Sequence, residues 1–119
     1  MRLNSATVKV QTPDGTMYLI IMENEHGMPS RVDIQIGKSG TPIRAWSMAT
    51  SDLINLCLDN GISLHQIVAR IIGATSDRSR DNEEGKVSSG PEGVAYAIFS
   101  YLRHKKAGAG PYFDMSKLR

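Results

Sequence analysis

The apolar residues of this chain repeat with one period in its first third and with another thereafter, and that change limits the folds open to it. Val8 and Val10 alternate with Thr7, Lys9 and Gln11, and Val32, Ile34 and Ile36 alternate with Arg31, Asp33 and Gln35. A step of two puts successive side chains on opposite faces of a strand. The apolar run Met17 to Met22 lies between these segments and reads as a strand as well. Beyond residue 40 the step becomes three or four. Ile43, Trp46, Ala49, Leu53, Leu56 and Cys57 form one series, Leu64, Ile67, Val68, Ile71 and Ile72 a second, and Val94, Ala97, Ile98, Tyr101 and Leu102 a third. Each marks the buried stripe of a helix. The expected fold is α+β: a three-stranded antiparallel meander followed by three helices packed on one face of the sheet. Residues 1–106 make a single domain in this reading, and 107–119 form a C-terminal tail in which Tyr112 and Phe113 are the docking residues.

Local signals place the boundaries. Thr12-Pro13-Asp14-Gly15 suits a hairpin turn, because proline presets one dihedral and glycine accepts positive φ. Thr41 caps a helix opened by Pro42, and Asn60-Gly61 ends it. Ser63 and Gln66 have capping-box spacing for the second helix, which Gly73 closes. Residues Ala74 to Lys86 contain almost nothing apolar and read as a long loop. The last helix spans about Gly90 to Lys105. Met17, Leu19 and Ile21 face one side of the middle strand while Tyr18, Ile20 and Met22 face the other. Both faces are apolar, so the second is expected to meet another part of the chain or another subunit, which points to a homo-oligomer.

Charge and composition remove several classes of function. A net charge of +2 gives no field suited to general binding of long nucleic acids. The one cysteine, Cys57, has no internal disulfide partner and falls in a helical apolar series, which reads as a core thiol in a reducing, cytoplasmic setting. No signal peptide or membrane-spanning run is evident. His26, His65 and His104 are far apart and lack metal-site spacing, so no metal or other cofactor is expected. No nucleophile elbow or other catalytic signature appears, and an enzyme is not expected.

Anion binding is the chemistry left to consider. Gly37-Lys38-Ser39-Gly40 carries the end of a phosphate-binding loop, but the full motif needs a further glycine where Val32 stands. A strand, a glycine-rich turn with Lys38 and a helix start remain. They suit one phosphate as well as they suit a plain connection. At the last helix, Ser88, Ser89 and Gly90 offer hydroxyls and backbone N–H groups, with Arg78, Arg80 and Lys86 close by in sequence. Ser89 and Glu92 also have the spacing of an ordinary capping box. Arg31 and Arg103 need no local partner, and their guanidinium forks suit phosphate.

The order of these features resembles a known family. The run Arg31-Val32-Asp33-Ile34, Gly37-Lys38-Ser39-Gly40, the helix junction Asn60-Gly61-Ile62-Ser63-Leu64 and the segment from Val87 to Ile98 resemble the TSCPD domain found at the C-terminus of vitamin B12-dependent ribonucleotide reductases. The likeness covers most of residues 5 to 104. No cysteine stands between Ser88 and Glu92, so no thiol or metal chemistry carries over. A weaker similarity is to small phage proteins that counter Thoeris immunity by sequestering cyclic ADP-ribose-type signals. The resemblances imply a non-enzymatic oligomer that sequesters a nucleotide-derived signal, cyclic ADP-ribose-type or cyclic oligonucleotide, in a bacterial host cell. Arg31, Lys38, Arg78, Arg80, Ser88, Ser89, Gly90 and Arg103 are its expected ligand-binding residues. The alternative is an accessory or protein-interaction module related to the reductase.

Overall fold

A computed structural model describes residues 4–37, 40–82, 85–106 and 112–114. The strands β1 (Ser5–Thr12), β2 (Gly15–Glu23) and β3 (Pro29–Gln35) form the expected antiparallel meander. The helices α1 (Pro42–Asp59), α2 (Leu64–Ile71) and α3 (Gly90–Lys106) follow, giving the α+β fold that the two periods predict. Between α2 and α3 lie β4 (Arg80–Asn82) and β5 (Gly85–Val87), and β6 (Tyr112–Asp114) comes last. β6 pairs in parallel with β1, so the sheet has four strands in the order β3-β2-β1-β6.

Strand alternation sorts the side chains. Ala6, Val8, Val10, Met17, Leu19, Ile21, Val32 and Ile34 are buried on one face and meet Val94, Ala97, Ile98 and Tyr101 of α3 and Leu64, Ile67 and Val68 of α2 in a single core. The opposite face keeps Tyr18 exposed and Ile20 and Met22 half-buried, among Thr7, Asp33, Gln35 and Arg31.

Two expectations require correction. Residues Ala74 to Lys86 are not simply a long loop, since β4 and β5 pair there as a small hairpin. Asn82 is buried and anchors it: its amide accepts from the Gln11 N–H at 2.9 Å and donates to the Gln11 carbonyl at 3.0 Å. Polar side-chain docking replaces the apolar pattern that would have announced a strand. The second correction concerns α1. Its limits match, with Thr41 accepting from the Arg44 N–H and Asn60 ending the helix, but its buried residues are Ser47, Ser51, Ile54 and Asn55. Leu53 and Leu56, expected inside, are 63% and 59% exposed, and Ala49 is exposed as well.

The reason lies in what α1 packs against. Among the described residues β3 is the last strand on its side of the sheet, with backbone groups that no further strand there satisfies. Asn55 accepts from the Val32 N–H at 2.7 Å and donates to the Val32 carbonyl at 3.0 Å. Ser51 donates to the same carbonyl at 2.7 Å, and Arg44 donates to the Ile34 carbonyl at 3.2 Å. A helix against a strand edge must offer hydrogen-bonding groups, so this helix turns its polar stripe inward.

Candidate functional site

Among the described residues, those expected to hold a phosphate fall into separate groups. Arg31 pairs with Met22 and, by alternation from buried Val32, points to the face of the sheet away from the helices. Arg103 is exposed near the C-terminal end of α3, on the helical side. Arg78, Arg80, Ser88, Ser89 and Gly90 gather at the other end of α3. That helix has 17 residues, so its ends stand about 25 Å apart. Lys38 lies outside the described residues.

At the α3 start the small polar groups bond to the chain itself. The Ser89 hydroxyl accepts from the Glu92 N–H at 2.9 Å and donates to the Ala74 carbonyl. The Ser88 N–H donates to the Glu92 carboxylate at 2.9 Å, and the Ser88 carbonyl accepts from both the N–H and the hydroxyl of Ser76. The Gly93 N–H donates to the Ser89 carbonyl at 3.0 Å. Gly90 is buried beneath Trp46, and a Cβ there would fall 2.2 Å from the indole and 2.9 Å from the Asp14 carboxylate. Two carboxylates, Glu92 and Asp14, therefore stand where the helix dipole favours negative charge. The Arg80 guanidinium donates to the Gln11 side chain at 3.4 Å, while Arg78 and Lys86 are exposed.

The far end of α3 holds a second polar cluster. Glu23 is 4% exposed, accepts from the Tyr101 hydroxyl and lies 2.7 Å from Lys105 Nζ. Burial pushes the Glu23 carboxyl up, but hydrogen bonds from Lys105 and Tyr101, together with the lysine charge, leave it below its ordinary value. Burial, and then the bond to Glu23, push the Tyr101 phenol well up. A neutral tyrosine and a paired carboxylate suit a structural clamp. Among the described residues, no group of three His, Cys, Asp or Glu side chains gathers to hold a metal, and no helix is long and apolar enough to cross a membrane.

A concave site lies elsewhere, between α1 and α2. Leu53, Ile54 and Cys57 form one wall, Ile67, Arg70 and Ile71 the other, and Ile62 in the connection closes one end. The volume is about 660 Å³, with walls mainly apolar. Cys57 is half-buried in this wall, not enclosed in the core as its place in the sequence suggests. Apolar spacing alone does not reveal the groove, because it assigns Leu53 and Leu56 to the interior. The available signal was the spacing of Ser47, Ser51 and Asn55, a polar stripe at steps of four on the same helix.

The described residues form an α+β domain in which an antiparallel meander is followed by three helices. The model of the TSCPD domain family matches residues 1–102, and the chain belongs to that family. No curated protein and no solved structure matches it.

Proposed function

We propose that the chain is a non-enzymatic interaction module whose α1–α2 groove receives an apolar segment of a protein partner. The observation that carries this reading is the groove itself, where Leu53, Ile62 and Ile71 offer apolar surface beside one cation, Arg70. An apolar segment carrying a carboxylate complements such a wall. The TSCPD family and the resemblance to the reductase domain favour a ribonucleotide reductase chain as the partner. The test uses the purified full chain with a purified vitamin B12-dependent reductase chain, measured by calorimetry. Binding should weaken about tenfold or more in Ile62→Asp, which puts a carboxylate in the groove of a protein still folded by circular dichroism. Absence of binding by the unaltered chain, or equal binding by the variant, overturns the reading.

A second reading, sequestration of a nucleotide-derived signal, draws on exposed Arg78, Arg80 and Lys86 beside the start of α3. The 25 Å length of α3 means that Arg31 or Arg103 would join that group only from another copy. Incubation with cyclic ADP-ribose isomers and cyclic oligonucleotides, followed by heating, separates the two: release of intact ligand supports sequestration, and no binding removes it.

A further inference from the structure

The groove between α1 and α2 is a slot with a single charge at its mouth. Ile62 closes the end where the two helices join, while Thr50 of α1 and Arg70 of α2 stand toward the open end. The Thr50 hydroxyl already donates to the Trp46 carbonyl at 2.8 Å, and the Gln66 side-chain oxygen accepts from the Ser63 N–H at 3.1 Å. The Arg70 guanidinium is exposed and has no partner among the described residues, and none of the residues that line the groove carries a carboxylate. The C-terminal end of α2 bears about half a negative charge, which the full positive charge of the guanidinium outweighs.

What fills such a slot follows from what its walls cannot bond. The side chains of Leu53, Ile54, Ile67 and Ile71 offer no hydrogen-bond donor or acceptor. An extended peptide has an N–H and a C=O at nearly every residue, each costly to bury unpaired, so it sets side chains into the slot and keeps its backbone outside. A hydrocarbon chain has no such groups and enters whole. Its one polar end then belongs at the mouth, and the group that suits an arginine there is a carboxylate.

We infer that the groove takes a single-chain carboxylic acid, its carboxylate on Arg70 and its hydrocarbon chain running between α1 and α2 to Ile62. The volume of about 660 Å³ lies within the span of small-molecule sites, about 300–1,000 Å³. Length sets the class of acid. α2 has 8 residues and is about 12 Å long, which an extended, zigzag chain of about ten carbons matches at about 1.5 Å per bond. An acid so bound occupies the space of the docking segment and excludes it, a consequence that rests on the docking reading, whereas the acid site itself does not.

Calorimetry of the full chain with hexanoate, octanoate, decanoate and dodecanoate, each below its micelle concentration, tests this. Affinity should rise about two- to fourfold with each methylene and level off near ten carbons, where the tail meets Ile62. Ile62→Ala should carry the rise to longer acids. Arg70→Gln should weaken decanoate about fivefold and leave decanol unchanged, with the same circular dichroism as the unaltered chain. Cys57, the one cysteine of the chain, stands in the groove wall, so bound decanoate should slow its alkylation by iodoacetamide. Failure of every acid to bind, an affinity that ignores chain length, an Arg70→Gln chain that holds decanoate as the unaltered one does, or a Cys57 alkylated at the same rate with decanoate bound would each overturn the inference. A chain that binds the reductase and ignores the acids sinks the acid site alone, and one that binds the acids and ignores the reductase sinks only the docking reading. Where both bind, decanoate should displace the reductase, and simultaneous binding overturns the exclusion.

Discussion

Gly90 shows how much of a helix start is decided by one missing methyl group. Trp46 lies across it so closely that a Cβ would overlap the indole at 2.2 Å, with the Asp14 carboxylate at 2.9 Å on another side. Alanine is ordinarily better than glycine in a helix by about 1 kcal/mol, so propensity alone would make Gly90→Ala stabilising. Packing reverses the sign. The variant should lose about 1–3 kcal/mol, as overpacked sites do, and thermal unfolding should show the midpoint falling by several degrees. A rise in the midpoint would mean that Trp46 moves aside freely. The Ser-Ser-Gly-Pro-Glu-Gly run was legible as a capped helix start, and Ser89 accepts from the Glu92 N–H as that spacing dictates, whereas the Glu92 carboxylate takes the N–H of Ser88, one residue before the cap. Nothing local in sequence announced Trp46 or Asp14, which arrive from α1 and the β1–β2 turn.

The helix α1 separates what periodicity can tell from what it cannot. Its ends were readable, since Thr41, Pro42 and Asn60-Gly61 act through neighbouring backbone atoms. Its rotation was not, because a hydrophobic stripe marks the buried side only when the neighbour is itself apolar. Here the neighbour is the open edge of β3, and Asn55 and Ser51 serve as its missing strand. The two groups of Val32 are not equally protected: its carbonyl also accepts from Ser51, whereas Asn55 is the partner given to its N–H. Asn55→Leu should therefore orphan one buried donor, at a cost of about 1–3 kcal/mol in denaturant unfolding. Asn55→Leu with Ser51→Ala removes the carbonyl's partners too and should cost more than either change alone. The β4–β5 hairpin was missed for a related reason. Arg80-Asp81-Asn82 has no apolar residue, and its place is fixed by the Asn82 amide on Gln11 and by buried Val87.

Across the whole molecule, α3 is fastened at both ends. Trp46 and Asp14 close over its start, and Glu23 meets Tyr101 and Lys105 near its finish. Because the folded-state pKa of Glu23 is lowered, the clamp contributes stability above the ordinary carboxylate value of 4.5 and loses it as pH falls through the folded value. Acidification below about pH 4 should thus lower the unfolding midpoint of the unaltered protein more steeply than that of Glu23→Gln, which has no carboxylate to protonate. Parallel curves would remove Glu23 from the acid response. The length of α3 also sets Arg103, near its end, about 25 Å from Arg78, Arg80 and the Ser88, Ser89 and Gly90 group at its start. The family was legible from the order of its segments, whereas the groove depended on two helices meeting at an angle that no segment encodes alone. The side chains of Asn55 and Arg44 have one more effect. Fibrils lengthen when a strand exposes a free row of N–H and C=O groups to an incoming chain. On the β3 side, α1 already binds both of these groups of Val32 and the carbonyl of Ile34, so copies of this protein meeting there encounter a helix in place of a template for amyloid growth.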